Sequence, residues 1–523
     1  MFVRKDKRKN DTYLSVVKAY YSHGKPKQKT IKKLGLVSKL KEKYEDPFEY
    51  ADELARILTE KEKDKQKRHQ LEIDLKERLE PGKEYRKNVG IAVLLKIYNT
   101  LGIETILRNA QAKCKVEFDL NASLKLLVAD RLIFQKSKKG AYENKDKFFF
   151  RTNFSKTDMY RSLEVFAKLK PNIINKMNRV IDEKFGRDYD NVFYDVTNHH
   201  FYCEEDEPNS ISGGLRKKGV SKNHMPNPII QMGLMQDGNA VPINYGLYAG
   251  NTPDGQTFLD NLSEMKYEDK VSSTTVVADK GINSSINIAA LVLSGEGFIF
   301  SQSVRGTKSD TELKEWVINQ EEYVSLNSDR KVKSKLGTKV LHIPKTETAT
   351  AKNEDIDIEV KYVASYSKKY AKRQKFKRDR AIEKAKALIK DPGNYDRAAH
   401  YGVVKYIKNL SVDKKTGELL ESKNVRSLNY EYIQQEEALD GYYLLVTNRI
   451  NWDDKKISNA YSQLWKIEES FKVTKSYLKT RPVFVRKKDS IEAHFLICYI
   501  ALTIIRILEN IMKNKYTEKQ ILE

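Results

Sequence analysis

One stretch of sequence, Asn191-Val-Phe-Tyr-Asp-Val-Thr197, constrains the fold of this chain more than any other. Its β-branched and aromatic residues predict a short buried strand. Asp195 lies inside this run, and a carboxylate within a buried strand is costly unless it binds something. The stretch therefore predicts both a sheet and a polar site built on that sheet.

A second acid follows a second predicted strand. Residues 273–278 are rich in Thr and Val, and they lead into Asp279, Lys280 and Gly281, after which Ile282–Leu293 reads as a helix. Acids at the carboxyl ends of strands in open α/β sheets point into the ligand crevice. The alternative is that Asp279 belongs to an Asp-Lys-Gly turn and caps the following helix.

The elements around these two acids occur in a definite order. The remaining predicted elements are two strands, a helix and a further strand: Ile229–Met235, Val241–Ala249, Phe258–Tyr267 and Gly297–Ser303. Together with the segments described above, the order is strand, strand, strand, helix, strand, helix, strand. This alternation predicts an α/β core.

A third acid, Glu468, lies on a predicted helix. Apolar residues recur there at spacings of three and four, at Leu464, Ile467, Phe471 and Leu478. Glu468 shares this stripe, so burial of the stripe is expected to bring the carboxylate toward the interior. Seven residues make nearly two turns, so Tyr461, Glu468 and Lys475 are predicted to share one edge. The alternative is an ordinary surface ion pair between Glu468 and Lys472.

These motifs resemble the DDE transposases of bacterial insertion sequences, in the subgroup with a Tyr-Arg-Glu-Lys signature. That signature has Tyr, two residues, Arg, three residues, Glu, six residues and Lys. Here Tyr461, Glu468 and Lys475 match it, and Leu464 replaces the arginine. The resemblance implies a ribonuclease H-like catalytic core with a mostly β insertion.

The resemblance also implies the chemistry and the roles of the residues. Asp195, Asp279 and Glu468 are expected to be catalytic and to hold two divalent cations, Mg²⁺ or Mn²⁺, because magnesium prefers hard oxygen ligands. Tyr461 and Lys475 are expected to hold DNA phosphates, and Lys472 is also predicted to bind DNA. The activity would be cleavage at the element ends and transfer of the 3′-hydroxyl into target DNA, by a cut-and-paste route.

The 523-residue chain is predicted to divide into several domains. About 190 residues separate Asp279 from Glu468, too many for a loop, so an inserted domain is expected. The predicted parts are a basic β unit and a helical linker, an α-helical DNA-binding domain, a catalytic core in two segments, and the insertion: 1–40, 41–81, 82–185, 186–304 with 452–523, and 305–451.

The net charge of +24 agrees with a DNA partner, since basic proteins bind phosphate backbones with release of counterions. Two basic runs, within residues 1–40 and 368–380, are candidate DNA contacts; the alternative is that they are solvated faces. The expected partners are terminal inverted repeats and target DNA, bound by a homodimer. We expect a cytoplasmic, nucleoid-associated bacterial protein.

Other chemistry has weaker support. Cys114, Cys203 and Cys498 are far apart without a CxxC motif, which argues against a zinc site and favours a reducing cytoplasm. His199 and His200 could ligate a metal, although neighbouring residues of a strand face opposite ways. Phe495–Ile505 is apolar but too short to cross a bilayer, so it is predicted to be a core helix and no membrane partner is expected.

Two alternative functions remain open. A structure-specific nuclease or resolvase of the same fold would use the same three acids. A catalytically inactive DNA-binding derivative would keep the basic surfaces without cleavage. The three acids together favour an active enzyme, and the long insertion and the basic N-terminal unit favour a transposase.

Overall fold

A computed structural model of the chain describes most of its residues, namely 1–8, 11–22, 25–66, 86–113, 116–208, 214–219, 226–265, 274–305, 310–343, 354–391, 402–408, 411–412, 419–420 and 426–522. The chain forms two compact units, Met1–Val180 and Ile181–Ile521. The predicted boundary at Pro81-Gly82 and the residue Cys114 lie outside the described residues.

The first unit begins with a three-stranded antiparallel sheet in the order β1-β2-β3. Its strands and the two helices that follow are β1 (Phe2–Arg8), β2 (Asp11–Ser22), β3 (Lys25–Leu36), α1 (Val37–Leu40) and α2 (Pro47–Gln66). Leu14, Val37 and Ala51 form a small buried cluster between the sheet and these helices. This sheet lies within residues 1–40, for which the sequence predicts a basic β unit that binds DNA; its role in DNA binding stays a prediction.

Five further helices complete the first unit: α3 (Ile91–Thr100), α4 (Ile103–Lys113), α5 (Leu120–Ile133), α6 (Lys138–Glu143) and α7 (Lys156–Phe185), the last of which runs on into the second unit. The sequence pattern predicts a single helix at Val89–Ala110, and this prediction is wrong. Gly102 has a φ of +75°, which ends α3 and starts α4. Glycine adopts this left-handed conformation without the steric penalty of a side chain, and helices often end in this way.

The second unit contains a nine-stranded mixed sheet in the order β6-β5-β4-β7-β8-β16-β11-β10-β9. Its strands are β4 (Asn191–His200), β5 (Ile229–Gln236), β6 (Pro242–Ala249), β7 (Thr275–Ala278), β8 (Gly297–Gln302), β9 (Val324–Ser325), β10 (Arg330–Ile343), β11 (Glu354–Ser367) and β16 (Tyr442–Thr447). The pairs β4–β7 and β7–β8 are parallel, and the other neighbours are antiparallel. All the strands predicted around the first two acids are present.

The described part of this unit also contains helices, some of which connect strands of the sheet and four of which follow the last strand. They are α8 (Thr257–Met265), α9 (Ser285–Leu293), α10 (Thr311–Ile318), α11 (Lys368–Lys390), α12 (Tyr430–Ala438), α13 (Asp454–Ser462), α14 (Trp465–Lys472), α15 (Lys488–Ile511) and α16 (Glu518–Leu522). Tyr194 on β4 packs edge-on against Phe258 of α8, at 5.1 Å between ring centroids. His199, which faces the other side of β4, packs at 5.1 Å against Phe495 of α15. The alternation of side chains along β4 therefore joins a helix to each face of the sheet.

Residues 305–451 do not form a mostly β segment in their described part. Helices α10, α11 and α12 contribute about as many residues as the long hairpin β10–β11, strands β9 and β16, and four two-residue strands, β12 (Ile407–Lys408), β13 (Ser411–Val412), β14 (Leu419–Leu420) and β15 (Ser427–Leu428). The hairpin also joins the main sheet, because β11 pairs with β16 and β16 pairs with β8. The predicted strand at Gly402–Ile407 is largely a 3₁₀ turn at Val404–Tyr406.

Helix α15 is longer than the predicted apolar stretch, and its length and composition would allow it to cross a membrane. Almost all of the apolar segment of this helix is buried inside the protein, as in a core helix. Burial, rather than the short length that the sequence indicates, is therefore what identifies this helix as a core element.

A buried ion pair stabilises the turn between β5 and β6. Arg187 Nη1 lies 3.0 Å from Asp237 Oδ2, and both side chains are fully buried. Asp237 Oδ1 accepts hydrogen bonds from the backbone N–H groups of Asn239 and Val241, both at 2.9 Å. Burial raises the pKa of Asp237 above its usual range, an effect that the charge of Arg187 opposes.

We predict that Arg187→Ala lowers the free energy of unfolding of this unit by about 3–5 kcal/mol, because it leaves a buried carboxylate unpaired. All three tryptophans, Trp316, Trp452 and Trp465, lie in this unit, so urea unfolding followed by tryptophan fluorescence measures its stability. The exposed Lys184→Ala is the control and should leave the midpoint unchanged. Equal midpoints for the two variants would contradict the prediction.

Candidate active site

The three predicted acids line one cavity of about 560 Å³ in the second unit. Asp195 comes from the middle of β4, Asp279 follows the end of β7, and Glu468 lies on α14. Tyr461 and Leu464 line the same cavity. The structure therefore brings together residues that are far apart in the sequence.

The parallel pairing of β4 with β7 explains why the first two acids are neighbours. Tyr194 on β4 pairs with Ala278 on β7, and each of these residues is followed directly by an acid. Because parallel strands keep their register, Asp195 and Asp279 follow side by side at the carboxyl end of β7. Asp195 is partly buried and Asp279 is exposed, so neither residue lies in the fully buried core.

Three hydrogen bonds orient the carboxylate of Asp279. Its Oδ1 atom accepts from the Ser301 hydroxyl at 2.7 Å, from the Lys280 backbone N–H at 2.7 Å and from the Tyr461 hydroxyl at 3.4 Å. The Asp-Lys-Gly turn of the alternative interpretation does form, with a hydrogen bond from Ile282 N–H to the Asp279 carbonyl oxygen. However, Ser284 caps α9, so Asp279 has no capping role and its side chain faces the cavity.

The helix predicted around Glu468 is interrupted twice, which corrects the expectation of a continuous edge. Helix α13 ends at Ser462, α14 begins at Trp465, and Val473–Tyr477 forms a π-helical turn. Glu468 is exposed to the cavity, so the prediction that the apolar stripe carries it toward the interior is wrong. Its neighbours Ile467 and Phe471 on the same helix are buried.

The alternative role of Glu468 as half of a surface ion pair is not observed. Within the described part of the chain, no ion pair joins Glu468 to Lys472, although both side chains are exposed. The adjacent Glu469 lines a different cavity, together with Arg506 and Glu509. Two neighbouring glutamates of one helix are therefore directed to separate cavities.

Two tyrosine hydroxyls meet beside Asp279. Tyr461 and Tyr443 are hydrogen-bonded through their hydroxyl groups, and Tyr443 also lines the cavity. Burial raises the pKa of Tyr461 well above its usual range, with the neighbouring Tyr443 and Asp279 adding to the effect. Burial likewise raises the pKa of Tyr443 to about 12. Both phenols are thus protonated at neutral pH, and Tyr461 is able to donate a hydrogen bond to the acid.

Lys475 and Lys472, which were predicted to bind DNA, lie outside the cavity lining in the described residues. The ammonium group of Lys475 donates a hydrogen bond to the Thr197 hydroxyl, two residues along β4 from Asp195. Since alternate residues of a strand share one face, Lys475 lies on the face of β4 that carries Asp195. Lys472 is exposed on α14.

The residue that departs from the signature, Leu464, is partly buried and lines the cavity. Lys466 does not replace the missing arginine there, because its ammonium group donates to the Gly238 carbonyl oxygen and to Gln463 Oε1, both at 2.7 Å. Other cations do reach the cavity, among them Lys280, Arg305 and Arg330. Of these, Arg305 pairs with Glu436 at 3.0 Å.

Several cavity residues were not identified from the sequence. Ser301 and Tyr443 lie within predicted strands, but nothing in the sequence indicates that these strands are neighbours. Trp465 is 55% exposed and lines the cavity next to Glu468. An exposed tryptophan on an amphipathic helix is a usable signal, and here the strong apolar stripe of the same helix obscured it.

The two histidines do not join the acids at the cavity. His199 is fully buried, and neither ring nitrogen has a hydrogen-bond partner in the described residues. Burial lowers the pKa of His199 well below its usual range, so the ring is neutral. Across the described residues, no group of three or more His, Cys, Asp or Glu side chains lies close enough to hold one metal ion.

The fold and the cavity can be compared with known protein families. The family model described as the transposase DDE domain matches residues 230–504. The chain belongs to this family. The match includes Asp279 and Glu468, whereas Asp195 lies before its start. No curated protein matches the chain. Membership implies DNA as the substrate and phosphodiester cleavage or transfer as the general reaction.

We predict that Leu464→Arg folds and that its free energy of unfolding lies within about 1 kcal/mol of the parental value, because the new side chain can extend into the cavity. Ile467→Arg is the matched control: Ile467 is fully buried on the same helix, so a charge there should cost several kcal/mol. Urea unfolding followed by tryptophan fluorescence measures both. Equal destabilisation of the two variants would show that Leu464 is a core residue.

Proposed function

We propose that this chain is a DNA transposase that cleaves the ends of a mobile element and joins the freed 3′-hydroxyl to target DNA. The observation that carries the proposal is that Asp195, Asp279 and Glu468 line one cavity in a chain that belongs to the transposase DDE domain family. The strand order β6-β5-β4-β7-β8, with β4, β7 and β8 parallel, supports a ribonuclease H-like core.

The carboxylates fit a pair of divalent cations, Mg²⁺ or Mn²⁺. Asp195 and Asp279 are neighbours on parallel strands, and Glu468 faces the same cavity without an ion pair to Lys472. Asp195, Asp279 and Glu468 would together hold the two cations, because hard carboxylate oxygens are the ligands that these ions prefer. Bound cations would neutralise charge on the entering and leaving oxygens of the phosphodiester.

The surrounding side chains have supporting roles in this proposal. Ser301 and Tyr461 hold Oδ1 of Asp279 in place, so the carboxylate is oriented before a cation binds. The ammonium group of Lys475 lies on the face of β4 that carries Asp195, and it binds a phosphate of the processed strand with a charge-assisted contact. Lys472 and the basic surfaces bind flanking DNA, and two copies of the chain assemble on paired element ends.

The alternatives make different predictions for one assay. A supercoiled plasmid that carries candidate terminal repeats, taken from the DNA flanking the reading frame, would be cleaved at the repeats by a transposase. A structure-specific nuclease would cut at branched DNA regardless of the repeats, and an inactive derivative would bind without cutting. The assay therefore separates all three functions.

We predict that Asp195→Ala, Asp279→Ala and Glu468→Ala each abolish cleavage of this plasmid and leave DNA binding in gel-shift assays close to the parental level. The reason is that each variant removes a metal ligand rather than a DNA-binding surface. Glu469→Ala is the matched control, since it changes the neighbouring glutamate on another cavity and should retain cleavage. Cleavage that survives in any of the three variants would contradict the assignment of these three acids as catalytic.

We predict that Lys475→Ala slows strand processing by about 10- to 150-fold, because a charge-assisted phosphate contact contributes ~1.5–3 kcal/mol. Lys475→Arg should recover most of the rate, since it keeps the charge. Thr197→Val keeps the shape of the side chain but removes the hydroxyl that accepts from Lys475. Its rate of strand processing should therefore fall less than that of Lys475→Ala. A parental rate for Lys475→Ala would show that the signature does not carry over, even if the three acids are catalytic.

A further inference from the structure

Two exposed aromatic side chains pack against each other outside the cavity. Tyr202 is 71% exposed and Phe484 is 62% exposed, and their ring centroids lie 5.3 Å apart. Each ring thus keeps much of its surface in contact with solvent while the other supports it. Proteins that bind single-stranded nucleic acids use exposed aromatic rings of this kind, because every base has a flat face on which to stack.

The backbone beneath this aromatic pair is held in place. Phe201 and Val483 form a parallel β-bridge, and each is 1% exposed. Tyr202 N–H donates to the Val483 carbonyl oxygen at 3.0 Å, and Val483 N–H donates to the His200 carbonyl oxygen at 2.9 Å. The two rings are therefore displayed on a buried anchor, which reduces the entropy lost when a ligand binds.

Strand β4 connects this pair to the candidate active site. From Asp195, the strand passes Thr197, which contacts Lys475, and ends at His200 just before the anchor. The seven residues from Asp195 to Tyr202 span at most about 23 Å at the usual rise of an extended chain. This length corresponds to about seven base steps of stacked DNA, at 3.4 Å each.

Positively charged side chains lie along the path from Asp195 to the aromatic pair. Lys475 lies near its start, and Arg481 lies close enough to His199 and His200 for its charge to lower the pKa of both rings, after the larger effect of burial. Arg486, Lys487 and Lys488 are exposed just beyond Phe484. On the Tyr202 side, Glu204, Glu205 and Asp206 follow, so a phosphate chain would be repelled past the aromatic pair.

We infer that Tyr202 and Phe484 form a stacking platform for an unpaired nucleotide of the DNA strand that leads away from the candidate active site. Lys475 and Arg481 bind the phosphates between the cleavage point and the platform, and Arg486 binds a phosphate next to the stacked base. The DNA partner follows from the family, and the direction of the strand rests on the proposed function.

Binding of a fluorescein-labelled dT20 strand and of a 20-base-pair duplex to the full chain tests this inference, by fluorescence anisotropy in EDTA. Tyr202→Ala and Phe484→Ala should each raise the Kd for dT20 by about 5- to 100-fold, the range expected for a lost base stack. The Kd for the duplex should change by no more than roughly twofold, as for other surface substitutions. The duplex arm also shows that the variants are folded.

Conservative variants distinguish stacking from general apolar contact. Phe484→Tyr keeps an aromatic face and should bind dT20 like the parent, whereas Phe484→Leu should bind like Phe484→Ala. Tyr430→Ala, which removes a tyrosine with 68% exposure on α12, is the matched control and should have no effect. Arg486→Ala should reduce the slope of log K against log salt by about 0.7, while Phe484→Ala leaves that slope unchanged.

Parental dT20 affinity in both alanine variants would overturn the platform, and parental affinity in Phe484→Leu would overturn stacking as its mode of binding. The measurement requires no metal and no cleavage, so it is independent of the catalytic assignment. Failure of the platform with loss of cleavage in the three acid variants would leave the proposed function intact.

Discussion

The parallel register between β4 and β7 is the constraint on which the candidate active site depends. Pairing of Tyr194 with Ala278 places the acids that follow them side by side, and the buried faces of both strands lock that register. A slip by one residue would turn every side chain of β4 to the opposite face. Asp195 would then meet the apolar core under α8, and Tyr194 would enter the cavity. Hydrophobic packing on one face of the sheet thus determines the chemistry on the other.

The position of the three acids at a cavity avoids the free-energy cost of burying their charges. Asp279 and Glu468 are exposed to the cavity, and Asp195 is partly buried, so none of the three carboxylates is fully removed from solvent. The fully buried charges of Arg187 and Asp237 in this unit are instead paired with each other. A carboxylate at a cavity wall costs less free energy because water or a cation can solvate it, whereas a buried charge in the core needs a partner.

Strand β16 belongs to the part of the chain between Asp279 and Glu468, and it joins that part to the main sheet. It pairs with β8 and β11, so the long hairpin β10–β11 is an extension of the main sheet. This pairing brings Tyr443 to Tyr461, whereas the parallel pairing of β7 with β8 places Ser301 beside Asp279. These side chains form a hydrogen-bonded group around one carboxylate. Residues 305–451 therefore contribute to the wall of the cavity as well as lying between two segments of the core in the sequence.

Most local elements, and the three acids that line the cavity, could be predicted from the sequence, because strand and helix periodicity and an acid in an apolar run are local signals. The sequence also predicted the strand at Tyr442–Thr447 correctly. It did not determine the break in the helix at Gln463 and Leu464, the exposure of Glu468, or the split of Val89–Ala110 into α3 and α4. A regular apolar stripe continues across such turns and does not reveal them.

Tertiary structure alone decided which side chains meet. Ser301 joins Asp279 because β8 pairs with β7, and Tyr443 joins them because β16 pairs with β8. Tyr202 meets Phe484 because Phe201 bridges to Val483. The pairing of β16 with β8 and the bridge between Phe201 and Val483 each join residues more than a hundred positions apart in the sequence, and no periodicity extends over such a separation. Long-range pairing is selected by the burial of whole faces of the sheet, which is a property of the folded chain and not of any one segment.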